Sequence, residues 1–199
     1  NATGSGGIVF RGGSVAYTKL SIGGGTLSGG ISAASGIVQV TTNTLPLSID
    51  RGITVGGGGN VVLTADGGVT QAATAAIVAS GLTVTNTTAG VVTLGATGND
   101  VANLAITNNT VSGTVSYTDL NDLSLTSGGG IVAGDSITLV VGGGFTSIAG
   151  NVLNVTGATG TVSLDAGGAV TLGGAVTAQT GVTINAGTAA KVSALGVNA

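Results

Sequence analysis

From about residue 82 onward the chain repeats a short unit, two aliphatic or aromatic residues flanking one small or polar residue, followed by a Gly-, Asn- or Asp-containing turn. The units are Leu82-Thr83-Val84, Val92-Thr93-Leu94, Leu104-Ala105-Ile106, Val115-Ser116-Tyr117, Leu123-Ser124-Leu125, Ile137-Thr138-Leu139, Leu153-Asn154-Val155, Val162-Ser163-Leu164, Val170-Thr171-Leu172 and Val182-Thr183-Ile184. A period of two is the mark of a strand with one buried face. The units start about 11 residues apart on average, with gaps from 8 to 16, which is a repeat constant in kind and loose in length.

Two architectures can use this pattern. An antiparallel sandwich would join neighbouring units by tight hairpins, whose sequence marks are Asn-Gly and Asp-Gly. Only Asp66-Gly67 qualifies, and no Asn-Gly occurs, although pairs such as Gly167-Gly168 and Gly173-Gly174 keep this alternative open. A parallel β-solenoid instead turns each coil through Gly-, Asn- and Asp-rich corners and stacks every strand on the one a coil earlier. Two units per coil then predict an all-β chain of roughly nine coils of about 20–22 residues, a rod of ~43 Å at ~4.8 Å per coil.

Residues 71–199 carry the regular repeats, and residues 1–70 read as less regular coils with Gly-rich insertions, so 1–199 is expected to be one continuous solenoid. Strand-like stretches recur at 36–40, 45–49, 52–55 and 61–65. Pro46 lacks an N–H and is expected at a corner. The Gly56 to Gly59 run is expected to be the flexible point of this segment.

Composition narrows the chemistry. The chain has 199 residues, 40 of them Gly, with no His, Cys, Met, Trp or Glu, and 6% charged side chains. Without imidazole or thiolate, common acid–base relays, nucleophiles and most zinc, iron or copper sites are disfavoured, and neither catalysis nor a cofactor is expected. A formal charge of −3 supplies no basic patch for nucleic acid. Polar residues interrupt every apolar run before the ~18 to 20 residues of a membrane-spanning helix, and four aromatic residues, Phe10, Tyr17, Tyr117 and Phe145, are too few for the girdles of a membrane barrel. Arg11, Lys19 and Arg51 lie near the start and Lys191 near the end, leaving 52–190 without a tryptic site, which suits exposure outside the cell.

The stretch Leu123-Ser-Leu-Thr-Ser-Gly-Gly-Gly-Ile-Val-Ala-Gly-Asp-Ser-Ile-Thr-Leu139, followed by Val162-Ser-Leu-Asp-Ala-Gly-Gly-Ala-Val-Thr-Leu-Gly-Gly-Ala-Val-Thr-Ala-Gln-Thr-Gly-Val-Thr-Ile-Asn-Ala-Gly187, resembles the repeats of filamentous-haemagglutinin-like exoproteins and autotransporter passengers. The resemblance implies a right-handed parallel β-helix, export to the bacterial surface, and a role in adhesion, biofilm or cell contact. No Asn-Pro pair of the kind found in that family's secretion domain occurs, so the chain would correspond to the repeat shaft.

Asp119 and Asp122, in Tyr117-Thr-Asp-Leu-Asn-Asp122, are the closest pair of acids in the chain, and with Asn121 they form a weak candidate for calcium, which takes oxygen ligands. A solvated turn is the favoured explanation. Gly128 to Gly130 and Gly142 to Gly144 lack the Lys-Ser/Thr ending of a phosphate loop and read as corners. Thr42-Asn-Thr44 and Thr83-Val-Thr85 alternate as ice-binding threonine ranks do, but once-per-coil repetition is not visible. Asn1, Asn86, Asn108 and Asn154 begin glycosylation sequons, for which stacked or turn asparagines are the competing explanation. The expectation is a non-catalytic structural or adhesive shaft, extracellular or on a bacterial cell surface, whose partners are itself or the glycans or proteins of host or neighbouring cells. The alternatives are a self-assembling subunit of a filament, sheath or surface layer, and a carbohydrate-binding or -cleaving solenoid using Tyr117, Asp119, Asn121 and Asp122.

Overall fold

A computed structural model describes residues 8–12, 20–22, 30–42, 44–88, 90–126, 130–188, 190–192 and 197–198. All of its regular structure is β, and every strand pairing is parallel. This excludes the antiparallel sandwich. Consecutive strands in the chain turn through a corner to the next face, and each strand pairs with the one a coil earlier.

Three faces repeat in the order I, II, III. Face I stacks eight strands, Leu20–Ile22, Leu47–Ile49, Val69–Gln71, Val92–Leu94, Val115–Asp119, Ile137–Val141, Thr161–Ala166 and Gly181–Ala186. Face II contains Ile31–Ala33, Ile53–Val55, Leu123–Leu125, Phe145–Ser147, Val170–Leu172 and Ala190–Val192. Face III contains Ile8–Gly12, Ile37–Thr42, Asn60–Ala65, Gly130–Ala133, Val152–Val155, Val176–Thr177 and Val197–Asn198. Two long strands, Ile77–Asn86 and Asp100–Asn108, run through both II and III without a corner, joining these faces into one 15-stranded sheet.

A coil therefore has three strands rather than two, and the solenoid makes about seven turns rather than nine. Eight strands on face I give seven rises of ~4.8 Å, a rod of ~34 Å. The coil length was nevertheless right: the face I partners Val92, Val115, Ile137, Val162 and Val182 are 23, 22, 25 and 20 residues apart. All ten units named above lie in strands. The uncounted third strand of each later coil is short or atypical. Phe145-Thr-Ser147 has a serine at its second inward position, Val176–Thr177 has two residues, and the strand before Ala133 opens on Gly130.

The core is a set of in-register columns. On face I, Leu47, Val69, Val92, Val115, Ile137 and Val162 stack with none more than 1% exposed. Stacking like side chains at the coil spacing removes most of each one's apolar surface from water, which stabilises by roughly 1.5–3 kcal/mol per fully buried aliphatic residue. Tyr117 and Phe145 are the largest fully buried side chains among the described residues. Pro46 lies in the bend before Leu47–Ile49, where no ladder N–H is needed. Gly57 and Gly58 turn the chain with φ of 57° and 76°, a conformation that disfavours any other residue.

Leu125 and Leu164 are completely buried on faces II and I. Replacing either by Asp places an unpaired carboxylate in the column and is expected to destabilise by about 4 kcal/mol or more. Thermal melts of the two variants check this; unchanged midpoints would remove these residues from the core.

Candidate functional site

Parallel ladders pair the backbone along strands, but at corners the N–H and C=O groups diverge and need other partners. Side chains supply them. The buried polar residues among those described are Thr42, Asn86, Asn99, Asn108, Thr110, Asp119, Ser147 and Asn151, and each sits at a strand end or in a corner. No buried side-chain nitrogen or oxygen among the described residues lacks a partner.

At the corner from face III to face I, Asn86 and Asn108 stack in register. The Asn86 carbonyl accepts from the Gly68 N–H at 2.8 Å and the Gly67 N–H at 3.2 Å, and its amide nitrogen donates to Asn108 Oδ1 at 2.9 Å. Asn108 donates to Thr114 O at 3.0 Å. Both asparagines are fully buried, so these two sequons cannot accept a glycan in the folded chain. Asn154 is half-buried on its strand, and Asn1 lies outside the described residues.

The corner from face I to face II holds the acidic candidates. Gln71 and Asn99 form a reciprocal amide pair, Gln71 Nε2 to Asn99 Oδ1 at 2.7 Å and Asn99 Nδ2 to Gln71 Oε1 at 3.2 Å. Asn99 also accepts from the Ile77 N–H and donates to Leu94 O and Thr118 O, so one side chain ties three successive coils. Asp119 follows one coil later and is 2% exposed. Its Oδ2 accepts from the Tyr117 hydroxyl at 2.7 Å and the Val101 N–H at 3.1 Å, and its Oδ1 from the Asn121 N–H at 3.0 Å. Burial pushes the Asp119 carboxyl above the ordinary carboxylate value, with a smaller contribution from Asp100, while the three hydrogen bonds oppose the shift. Burial and then the Asp119 charge push the Tyr117 hydroxyl far up.

Asp122 has a different environment. It is exposed, and its Oδ1 accepts from the Gly144 N–H of the next coil at 2.6 Å. Asn121 is also exposed. The suggested calcium ligands therefore divide: Asp119 is saturated by donors inside the rod, whereas Asn121 and Asp122 lie outside. No cluster of three or more acids occurs among the described residues. The inward position of Asp119 was legible in the alternation Val115, Tyr117, Asp119, which places all three on the core side.

Two surface features were not anticipated. Beside Asp122 a groove of about 550 Å³ is lined by Ser124, Thr146 and Thr171 and by glycines 142–144 and 167–168. These glycines allow the coils to close up: a Cβ on Gly167 would stand 2.3 Å from Gly142 O. On face I, Ser48, Thr70, Thr93, Ser116, Thr138, Ser163 and Thr183 form an unbroken outward column, one hydroxyl residue per coil. A search for Thr-x-Thr missed it because the face I strands Leu47–Ile49, Val69–Gln71 and Val92–Leu94 each present a single outward residue, between two inward ones.

The chain matches no protein-family model, no curated protein and no solved structure at a significant level.

The raised Asp119 value fixes the sign of a pH effect. The folded state holds the proton more tightly than the unfolded chain, so this residue's contribution to stability declines as pH rises from the ordinary carboxylate range through the raised folded value. Asp119→Asn should abolish that slope in melts recorded between mildly acidic and neutral pH. Tyr117→Phe, which removes one donor from the buried carboxylate, should destabilise by roughly 1–3 kcal/mol at neutral pH. An Asp119→Asn variant with the parental slope would contradict the assignment.

Proposed function

We propose that this chain is a non-catalytic structural shaft of an extracellular or bacterial cell-surface protein, with an adhesive role. The observation that carries the proposal is how the polar side chains are used. Asn86, Asn99, Asn108 and Asp119, the groups best suited by type to bind or react, are buried in stitches between coils. Outside the core the sheets present mainly Ser, Thr and Asn on a rigid, in-register surface, which suits a display rod. The resemblance of residues 123–187 to haemagglutinin-like repeats points the same way.

A second reading, end-to-end assembly with other copies, is favoured by one observation: every strand pairing among the described residues is parallel and sets each position against its equivalent one coil away, a ladder that a coil from another copy would extend in the same register.

Beads coated with the chain should be retained on bacterial or host cell layers well above beads coated with the unfolded Leu164→Asp variant. Equal retention would remove the adhesive role. Electron microscopy separates the second reading: filaments growing with concentration support it, and dispersed rods of one length at high concentration refute it.

A further inference from the structure

We infer that the groove beside Asp122 binds a linear, uncharged glycan lying parallel to the rod axis, one sugar unit per coil. The inference rests on the adhesive reading above and names the ligand class such a shaft would hold.

The wall of the groove is a row of hydroxyls in strict register. Ser124 pairs with Thr146, and Thr146 with Thr171, so three side chains repeat at the ~4.8 Å coil spacing. All three are at least partly exposed, and none of their hydroxyls is engaged by a protein group. One hexose unit of an extended β-linked glycan advances by close to one coil rise, so a donor or acceptor on each sugar meets an equivalent hydroxyl. Asp122 lies beside the row, with Oδ1 held by the Gly144 N–H and Oδ2 free to accept from a sugar hydroxyl, and in register the row runs on to Asn103 at one end and Lys191 at the other.

Other ligand classes fit less well. An extended peptide binds a sheet by adding to an unpaired strand edge. Here the backbone is committed from coil to coil: Leu123 N–H to Gly144 O, Phe145 N–H to Ala169 O, Gly143 N–H to Asn121 O and Gly168 N–H to Gly143 O. Among the described lining residues Asp122 is the one charged group, and its carboxylate disfavours a polyanion. The described lining has no aromatic ring, so each sugar is held weakly by hydrogen bonds alone. A ligand that repeats in step with the coils gains by occupying several equivalent positions at once.

The test is titration of the full chain, followed by calorimetry and amide NMR, with hexamers of β-1,4-linked glucose, mannose and N-acetylglucosamine, and with a galacturonate hexamer. At least one neutral hexamer should bind and shift the amides of Ser124, Thr146 and Thr171 while leaving those of Thr70 and Thr93 on face I in place. Affinity should rise from monosaccharide to trisaccharide and then level off. Thr146→Val with Thr171→Val keeps the branched outward shape and removes two hydroxyls, so binding should fall about tenfold with an unchanged melting temperature. No binding by any neutral hexamer, equal binding of the galacturonate, or full affinity in the double variant would overturn the inference. If variant-coated beads still adhere to cells like the parent, the adhesive shaft stands and the groove falls.

Discussion

Parallel hydrogen bonding between one coil and the next is the constraint on which everything else depends. It fixes the spacing and requires each position to face the equivalent position above and below, so that every column must suit its own kind. Valine on valine and isoleucine on valine satisfy this inside, and threonine on serine satisfies it outside. Such pairing leaves little room for charge, because like charges stacked one coil apart would repel along the whole rod. With 6% charged residues and Asp as the only acid, the chain avoids that conflict.

The same constraint explains why polar chemistry retreats to the corners. Along a strand the backbone is satisfied by its neighbours, whereas at a turn between faces it is not. The chain meets this need in two ways. In the earlier coils the amides of Gln71, Asn86, Asn99 and Asn108 and the Asp119 carboxylate bond the diverging backbone. In the later coils glycines bring one turn close enough to another for direct backbone bonds, as in Gly142 N–H to Asp119 O and Gly167 N–H to Val141 O. An acidic pair that looked like a candidate ligand set is accordingly split by one corner, its first member inside and its second at the rim of a groove.

Much of the fold was legible in the sequence. The alternation of aliphatic and small residues located strands, and the scarcity of hairpin signals selected parallel stacking. The strand count per coil was hidden by two departures from the pattern. Ile77–Asn86 and Asp100–Asn108 pass through a position where other coils turn, so one unit stands there for two. In later coils the third strand has a serine in place of an inward aliphatic residue, or too few residues to show alternation, as at Phe145–Ser147 and Val176–Thr177. The groove was not legible at all. Its wall joins residues 22 and 25 positions apart, Ser124 with Thr146 and Thr146 with Thr171, and only the register brings them together.

The uneven placement of the buried stitches bears on how the chain reaches its structure. Of the eight buried polar residues among those described, Asn86, Asn99, Asn108, Thr110 and Asp119 lie within a 34-residue span. In a solenoid each coil contacts only its neighbours, so ordering can begin in one block and propagate outward. The span from 86 to 119 is tied across coils by the Asn86, Asn99 and Asp119 side chains and includes Asp100–Asn108, a strand that crosses two faces without a turn. That concentration of cross-coil bonds makes it a block on which neighbouring coils can order in turn.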